Sequence, residues 1–176
     1  MKFNNQVLAF LKNSNSVKYV VLSSPFNQYA NADARVLIEG GSVEKGKDYL
    51  YSYFVKTLSE IRALGIVPVV FSLPPKSGYN LGQCLLKAQF YRERIEKCDF
   101  DFAVAEQKQR DVIEVLKKVD VLDNVIWLSD YICPGSHCKA SNAGVLIYRD
   151  EGHLARESSR LVGRGMNFYK LLIDSK

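Results

Sequence analysis

His153 follows Asp150 by three positions, where the apolar segment "VLIY" gives way to a polar, helix-like segment. A histidine that acts as a general base needs a carboxylate to accept its Nδ1 proton. This contact holds the ring in one tautomer and stabilises the imidazolium formed during turnover. Gly152 permits a sharp backbone bend between the two residues. The spacing therefore predicts a catalytic pair in which His153 is the base and Asp150 orients it.

The same spacing also fits a purely structural interpretation. Asp150 would then be the N-cap of the last helix, and His153 would be a surface residue in its first turn. Spacing alone does not choose between the two interpretations, because Asp-x-x-His is a common pattern.

The surrounding elements predict an α/β fold. Apolar, β-branched runs predict strands at "VKYVVLSS" (17–24, expected to be buried), "IVPVVFSLP", "NVIWLSD" and "VLIYRD", with a further short strand at "RVLIE". Apolar residues at intervals of three to four predict helices over 3–13, 45–65 and 102–119, and a closing helix or helix pair over 152–174. This alternation favours a parallel sheet with helices on both faces. Sites in such sheets lie beyond the carboxyl ends of the strands, so "LSSPFNQY", "FSLPPKSG" and "LSDYICPG" are expected to converge with Asp150 and His153.

Four cysteines, Cys84, Cys98, Cys133 and Cys138, permit two disulfides. The segment "CPGSHC" is a tight loop suited to a local Cys133–Cys138 bridge, and Cys84 with Cys98 would form the second. Such bridges persist in oxidising compartments such as a periplasm. An alternative is a zinc site formed by Cys133, Cys138, His137 and His153, although the Cys-x-x-x-x-Cys spacing is loose for one. We expect no metal and no cofactor.

Composition predicts one domain over residues 1–176, since 176 residues with 47% hydrophobic content suffice for a core. The net charge of +5 is mild, and the basic residues are mixed with acids, which is typical of solvated helix faces rather than a nucleic-acid site. No apolar run is long enough to span a bilayer, and the N-terminus lacks the features of a signal peptide.

The run "CPGSHCKASNAGVLIYRDEGHLARESSRLVG" resembles the C-terminal end of SGNH-type domains fused to membrane acyltransferase-3 proteins. Those proteins are bacterial O-acetyltransferases that modify lipopolysaccharide O-antigen and other surface glycans. Their Tyr-Arg-Asp-x-x-His-Leu-Ser motif matches Tyr148 to Ala155, with Ala155 in place of the serine. The resemblance implies a doubly wound, flavodoxin-like sheet on the periplasmic face of the inner membrane. It also implies acetyl transfer from an acylated donor to a glycan hydroxyl by Ser-His-Asp chemistry.

The family's nucleophile lies in a Gly-Asp-Ser-His block, and no Gly-Asp-Ser occurs in this sequence. The resemblance therefore implies an N-terminally incomplete domain that lacks its first strands and is inactive alone. A transmembrane acyltransferase portion or a separate chain would supply the missing strands. Ser23 and Ser24 are weak substitutes at a strand exit, and Asn27 is a candidate oxyanion-hole residue.

Two further expectations follow if the first strands of the domain are absent. Strand 17–24 would become a sheet edge and invite self-association. A different class of function is also open, in which the chain is a non-catalytic, glycan-binding or partner-binding remnant of the same fold.

Overall fold

The computed structural model describes residues 2–23, 26–30, 34–38 and 41–174. Its helices and strands follow one another in the order α1 (Lys2–Lys12), β1 (Tyr19–Leu22), α2 (Asn27–Ala30), β2 (Ala34–Ile38), β3 (Gly41–Lys45), α3 (Lys47–Ala63), β4 (Val67–Phe71), α4 (Leu81–Phe90), β5 (Phe100–Asp101), α5 (Phe102–Lys108), α6 (Arg110–Asp120), β6 (Val125–Ile126), α7 (Ser129–Ile132), β7 (His137–Cys138), β8 (Ser141–Asn142), β9 (Val145–Leu146), α8 (Arg156–Gly165) and α9 (Phe168–Asp174). The predicted α/β class is confirmed. None of the helices in these ranges is long and apolar enough to cross a membrane.

The chain divides into two compact units. The first contains Met1–Phe71, Asp111–Ile126 and Leu172–Lys176, and the second contains Ser72–Arg110 and Trp127–Leu171. The predicted catalytic pair lies in the second unit.

The first unit is built on a parallel sheet with strand order β1-β4-β6. Val69 and Val70 of the central strand β4 are fully buried, as expected for a strand with a neighbour on each side. Leu11 of α1 and Ile61 of α3 form an apolar cluster with Ile66, against which Val20 packs. Strands β2 and β3 form a separate antiparallel hairpin.

Strand β1 is not buried, contrary to the prediction for residues 17–24. Val21 is 51% exposed and the other three residues of the strand are half-buried. The reason is its position, because β1 is the outermost strand of this sheet and pairs with β4 alone among the described residues. Its position at an edge was expected. Continuous apolar sequence therefore indicated a strand correctly but not its burial.

The predicted single helix over 102–119 is wrong, because two helices, α5 and α6, meet at Gln109. The Gln109 side chain is buried and bonds to a neighbouring loop. Its Oε1 accepts from the Lys76 amide at 3.0 Å, and its Nε2 donates to the Pro74 carbonyl at 3.2 Å. The Lys76 amide and the Pro74 carbonyl therefore have hydrogen-bond partners at the position where the two helices meet.

The second unit holds two short antiparallel pairs, β5-β7 and β8-β9. The predicted strand "VLIYRD" is shorter than expected and does not join the parallel sheet, since β9 covers Val145–Leu146 and pairs with β8. The predicted strand "NVIWLSD" is likewise reduced to the two residues of β6. A closing helix or helix pair was predicted over 152–174, and the structure shows the helix pair, α8 and α9.

Both pairs of cysteines form disulfides in the second unit, Cys84–Cys98 and Cys133–Cys138. The first connects α4 to the 3-10 turn Ile95–Cys98, and the second closes the loop between α7 and β7. Cys98 and Cys138 are fully buried, so the bridges belong to the core of this unit.

Candidate functional site: an aspartate–histidine pair on a clamped turn

The Asp150 carboxylate faces the His153 ring across a tight turn. Both carboxylate oxygens lie 2.9 Å from the ring Nδ1. The same carboxylate also organises the backbone, because Oδ1 accepts from the Gly152 amide at 3.1 Å and from the His153 amide at 2.9 Å. An aspartate that bonds to amides two and three residues ahead closes an Asx-type turn. Asp150 therefore fixes the backbone and the ring of His153 together.

Backbone hydrogen bonds clamp the base of this turn. The Arg149 amide donates to the His153 carbonyl at 2.9 Å, and the Ala155 amide donates to the Ile147 carbonyl at 2.9 Å. Tyr148 and Leu154 form an antiparallel bridge between these bonds. Tyr148 is itself fully buried and its ring packs edge-on against Phe100. The exposed turn is thus anchored to the core by the residue two positions before Asp150.

The interpretation of Asp150 as the N-cap of the last helix is wrong. Helix α8 begins at Arg156, and its N-cap is Ala155, which has no side chain able to accept a hydrogen bond. Asp150 lies five residues before that cap and bonds to His153 instead. The spacing that suggested a helix start belongs to a separate turn.

The carboxyl of Asp150 is held in its charged form. Partial burial by itself would raise its pKa. The hydrogen bonds from the amides of Gly152 and His153, and then the bond and charge of the His153 ring, outweigh that effect and lower the pKa to about 2. Nε of Arg149 lies 3.5 Å from Oδ2. Asp150 is therefore an anion at neutral pH.

This geometry suits a general base. A carboxylate that accepts the Nδ1 proton leaves the lone pair on Nε2 available. The His153 side chain is 73% exposed, so a substrate can approach the ring. Among the described residues, however, we find no serine hydroxyl hydrogen-bonded to His153.

The loop at 72–79, which follows β4, docks onto the same turn. The Ser77 amide and Oγ donate to the Glu151 carbonyl at 3.1 and 3.3 Å. The side chain of Lys76 lies across Gly152, where its Cγ would be 2.7 Å from an added Cβ. The predicted meeting of "FSLPPKSG" with the Asp150–His153 turn is confirmed. Lys76 and Ser77 were not singled out from the sequence, because 74 residues separate Ser77 from Glu151 along the chain.

Helix α4 supports the turn from a second side. A Cβ at Gly82 would lie 2.2 Å from the Arg149 carbonyl oxygen, so only glycine fits at this contact. Asn80 caps the helix by accepting from the Gln83 amide at 3.0 Å. Cys84, two residues after Gly82, is bonded to Cys98, whose carbonyl accepts from the Tyr79 hydroxyl at 2.9 Å. The disulfide thus fixes the helix end that contacts Arg149.

The alternative of a zinc site on Cys133, Cys138, His137 and His153 is overturned, because both sulfurs are joined in a disulfide and no thiolate is available to a metal. His137 instead pairs with Asp101, with its Nδ1 2.9 Å from Oδ1. This second aspartate–histidine pair joins neighbouring strands β5 and β7, and both of its side chains are exposed.

The remaining predicted residues belong to the first unit. Ser23 follows β1 and is exposed, and Asn27 is the half-buried first residue of α2. Ser24 lies outside the described residues. The roles of Ser23, Ser24 and Asn27 stay predictions.

A model of the SGNH domain fused to AT3 domains matches residues 1–167 of the chain. The chain belongs to this family. No curated protein and no solved structure shows significant similarity to it. The predicted family is confirmed, and with it the SGNH-type fold class.

Membership of the SGNH family indicates acyltransferase or esterase chemistry. Two aspartate–histidine pairs occur among the described residues, Asp150–His153 and Asp101–His137. Of these two, only the Asp150 carboxylate is seen to accept hydrogen bonds from backbone amides as well. Ala155, which replaces the serine expected after His-Leu, lies at the helix N-cap and outside the pair. Its substitution therefore removes a cap but leaves the contact between Asp150 and His153 intact.

Proposed function

We propose that this chain belongs to an O-acyltransferase domain that transfers an acetyl group to a hydroxyl of a cell-surface glycan. The observation that carries the proposal is the contact of both Asp150 oxygens with Nδ1 of His153 at 2.9 Å, on a turn that the same carboxylate closes. This arrangement supports a base with a fixed tautomer, which acyl transfer through a serine requires.

In the proposed reaction a serine hydroxyl attacks the acyl carbonyl of the donor and passes its proton to Nε2 of His153. The tetrahedral intermediate collapses, and the leaving group departs with that proton. The sugar hydroxyl then gives its proton to Nε2 and attacks the acyl-serine, and the proton returns to the serine as the acetylated sugar leaves. Asp150 stabilises the imidazolium in both halves.

The proposed reaction needs a serine nucleophile, which related domains carry in a Gly-Asp-Ser-His block. No Gly-Asp-Ser occurs in the 176 residues. We therefore expect the isolated chain to have little or no activity, and a transmembrane acyltransferase portion or a separate chain to supply the nucleophile. A periplasmic location is supported by the two disulfides, which persist in oxidising compartments.

The test compares His153→Ala with His137→Ala in cells that express the whole protein. His137 is a matched control, since it is the other of the two histidines and also contacts an aspartate. We expect His153→Ala to lower glycan O-acetylation, measured by mass spectrometry, by about 10²-fold or more, because it removes a general base. His137→Ala should leave acetylation unchanged. Acetylation that persists in His153→Ala would overturn the proposal.

A second measurement addresses the isolated chain. Incubated with p-nitrophenyl acetate, it should release p-nitrophenol no faster than the His153→Ala variant does. Faster, His153-dependent release would mean that the nucleophile lies within these residues, and the expectation of inactivity would be wrong. Carbohydrate binding that survives while acetylation is independent of His153 would favour the alternative, a non-catalytic binding remnant.

A further inference from the structure

Lys76 is held across the catalytic turn by contacts at both ends of its stem. Its Cγ, Cε and Cδ lie 2.7, 3.2 and 3.4 Å from where a Cβ of Gly152 would be. Its amide donates to the Gln109 side chain, and the next residue, Ser77, donates to Glu151. The half-buried stem therefore covers the residue that immediately precedes His153.

The ammonium at the end of this stem has no ion-pair partner among the described residues. Some other cations of the chain are paired, as Lys47 is with Glu114 and Arg149 is with Asp150. Lys76 differs from the remaining lysines in that its stem lies against the Asp150–His153 turn. The Lys76 ammonium lies one bond beyond a Cε that contacts the turn, so its position is restricted. A lysine with an immobilised stem has already lost much of its side-chain conformational entropy, which lowers the cost of binding an anion.

We propose that Lys76 binds an anionic substituent, a carboxylate or a phosphate, of the glycan on which the Asp150–His153 pair acts. This inference rests on the proposed function and names the substrate class of the same site. The ammonium is a compact cation that attracts either anion. A neutral sugar could accept hydrogen bonds from the ammonium but would lack the attraction between opposite charges, so Lys76 makes the site favour acidic glycans.

A cation beside Gly152 is compatible with the geometry of the Asp150–His153 turn. The carboxylate of Asp150 is committed to His153 and to two amides. Lys76 thus adds a positive charge beside the turn without competing for the orienting carboxylate. The pair and the anion site then occupy neighbouring parts of one surface.

The experiment measures binding rather than turnover, so that it does not depend on the missing nucleophile. The full chain is titrated at low ionic strength with glucuronate, glucose 6-phosphate and glucose, while the amide signals of Gly152 and His153 are followed by NMR. Low salt preserves the interaction between exposed charges. We expect saturable shifts with both acidic sugars and none with glucose.

The variant Lys76→Met keeps an apolar stem over Gly152 and removes the charge. It should weaken binding of the acidic sugars about tenfold or more, which corresponds to about 1.4 kcal/mol. Lys87→Met is the matched control, because Lys87 is an exposed lysine of α4 in the same unit. It should bind as the unmodified chain does. An amide spectrum of Lys76→Met that overlays the original shows that the variant is folded.

Unchanged affinity in Lys76→Met, or equal binding of glucose, would overturn the proposal. A preference for one acidic sugar would support it and identify the anion. The variant His153→Ala separates this inference from the proposed function, because it should still bind the acidic sugars. Retained binding together with acetylation that is independent of His153 would refute the reaction but leave the anion site in place.

Discussion

At the scale of single residues, Asp150 connects the chemistry of the site to the stability of the fold. Its hydrogen bonds to the Gly152 and His153 amides and to the His153 ring lower the pKa of the carboxyl from 3.8 to about 2. A carboxyl whose pKa is lower in the folded chain contributes stability above its unfolded pKa and loses it as the pH falls through the folded value. The window in which this contribution disappears is therefore pH 3.8 to about 2.

We predict that Asp150→Asn reduces the fall in the free energy of unfolding across that window. The neutral amide cannot titrate, so this part of the pH dependence is lost, while the other carboxyls contribute equally in both proteins. Urea unfolding between pH 2 and 5 measures the difference. Glu157→Gln is the control, since Glu157 is an exposed residue of α8 and its carboxylate lies 3.4 Å from Arg160. Equal pH dependence of Asp150→Asn and the unmodified chain would contradict the geometry of the turn.

At the scale of secondary structure elements, α4 and α8 offer a matched pair of helical glycines. An alanine at Gly82 would place its Cβ 2.2 Å from the Arg149 carbonyl oxygen, and a backbone atom cannot easily move aside. An alanine at Gly163 would meet the Phe168 ring at 3.4 Å, which is ordinary contact. The same substitution should therefore have different effects at the two sites.

We predict that Gly82→Ala lowers the free energy of unfolding by about 1–3 kcal/mol, as expected for overpacking. It should also shift the NMR signals of the Asp150–His153 turn. Gly163→Ala should be neutral or stabilising by up to about 1 kcal/mol, because alanine favours a helix. Urea denaturation measures both. A stable Gly82→Ala variant with unchanged turn signals would mean that α4 does not support Arg149.

The elements also show what sequence alone can predict. Strong 3.6-residue periodicity located α3, and the spacing of Asp150 and His153 identified the pair, because both patterns are local. The break at Gln109 was not predicted, and the backbone groups of Lys76 and Pro74 that its side chain bonds lie more than thirty residues away along the chain. The short lengths of β6 and β9 depend on where their partners lie. Lys76 and Ser77 were not predicted as part of the site, because they reach the Asp150–His153 turn only once the chain is folded.

At the scale of the whole molecule, the outer edge of the parallel sheet is the feature with the clearest consequence. Strand β1 pairs with β4 along one side, and no described residue pairs with its other side. Its sequence, "YVVL", contains no charge or proline, which are the usual protections of an edge strand. We therefore predict that the purified chain self-associates through this edge, with open backbone groups pairing between copies.

The variant Val21→Lys tests this prediction, because Val21 is 51% exposed on β1 and an added strand or stacked sheet would have to desolvate the new charge. Sedimentation velocity should show the unmodified chain as a concentration-dependent mixture of species above 19.9 kDa, and the variant shifted towards the monomer. Val121→Lys adds the same charge at a valine that is 85% exposed and outside any strand, so it should associate as the unmodified chain does. A monodisperse monomer of the unmodified chain would refute the prediction. An equal effect of Val21→Lys and Val121→Lys would also contradict it, because net charge rather than the strand edge would then control association.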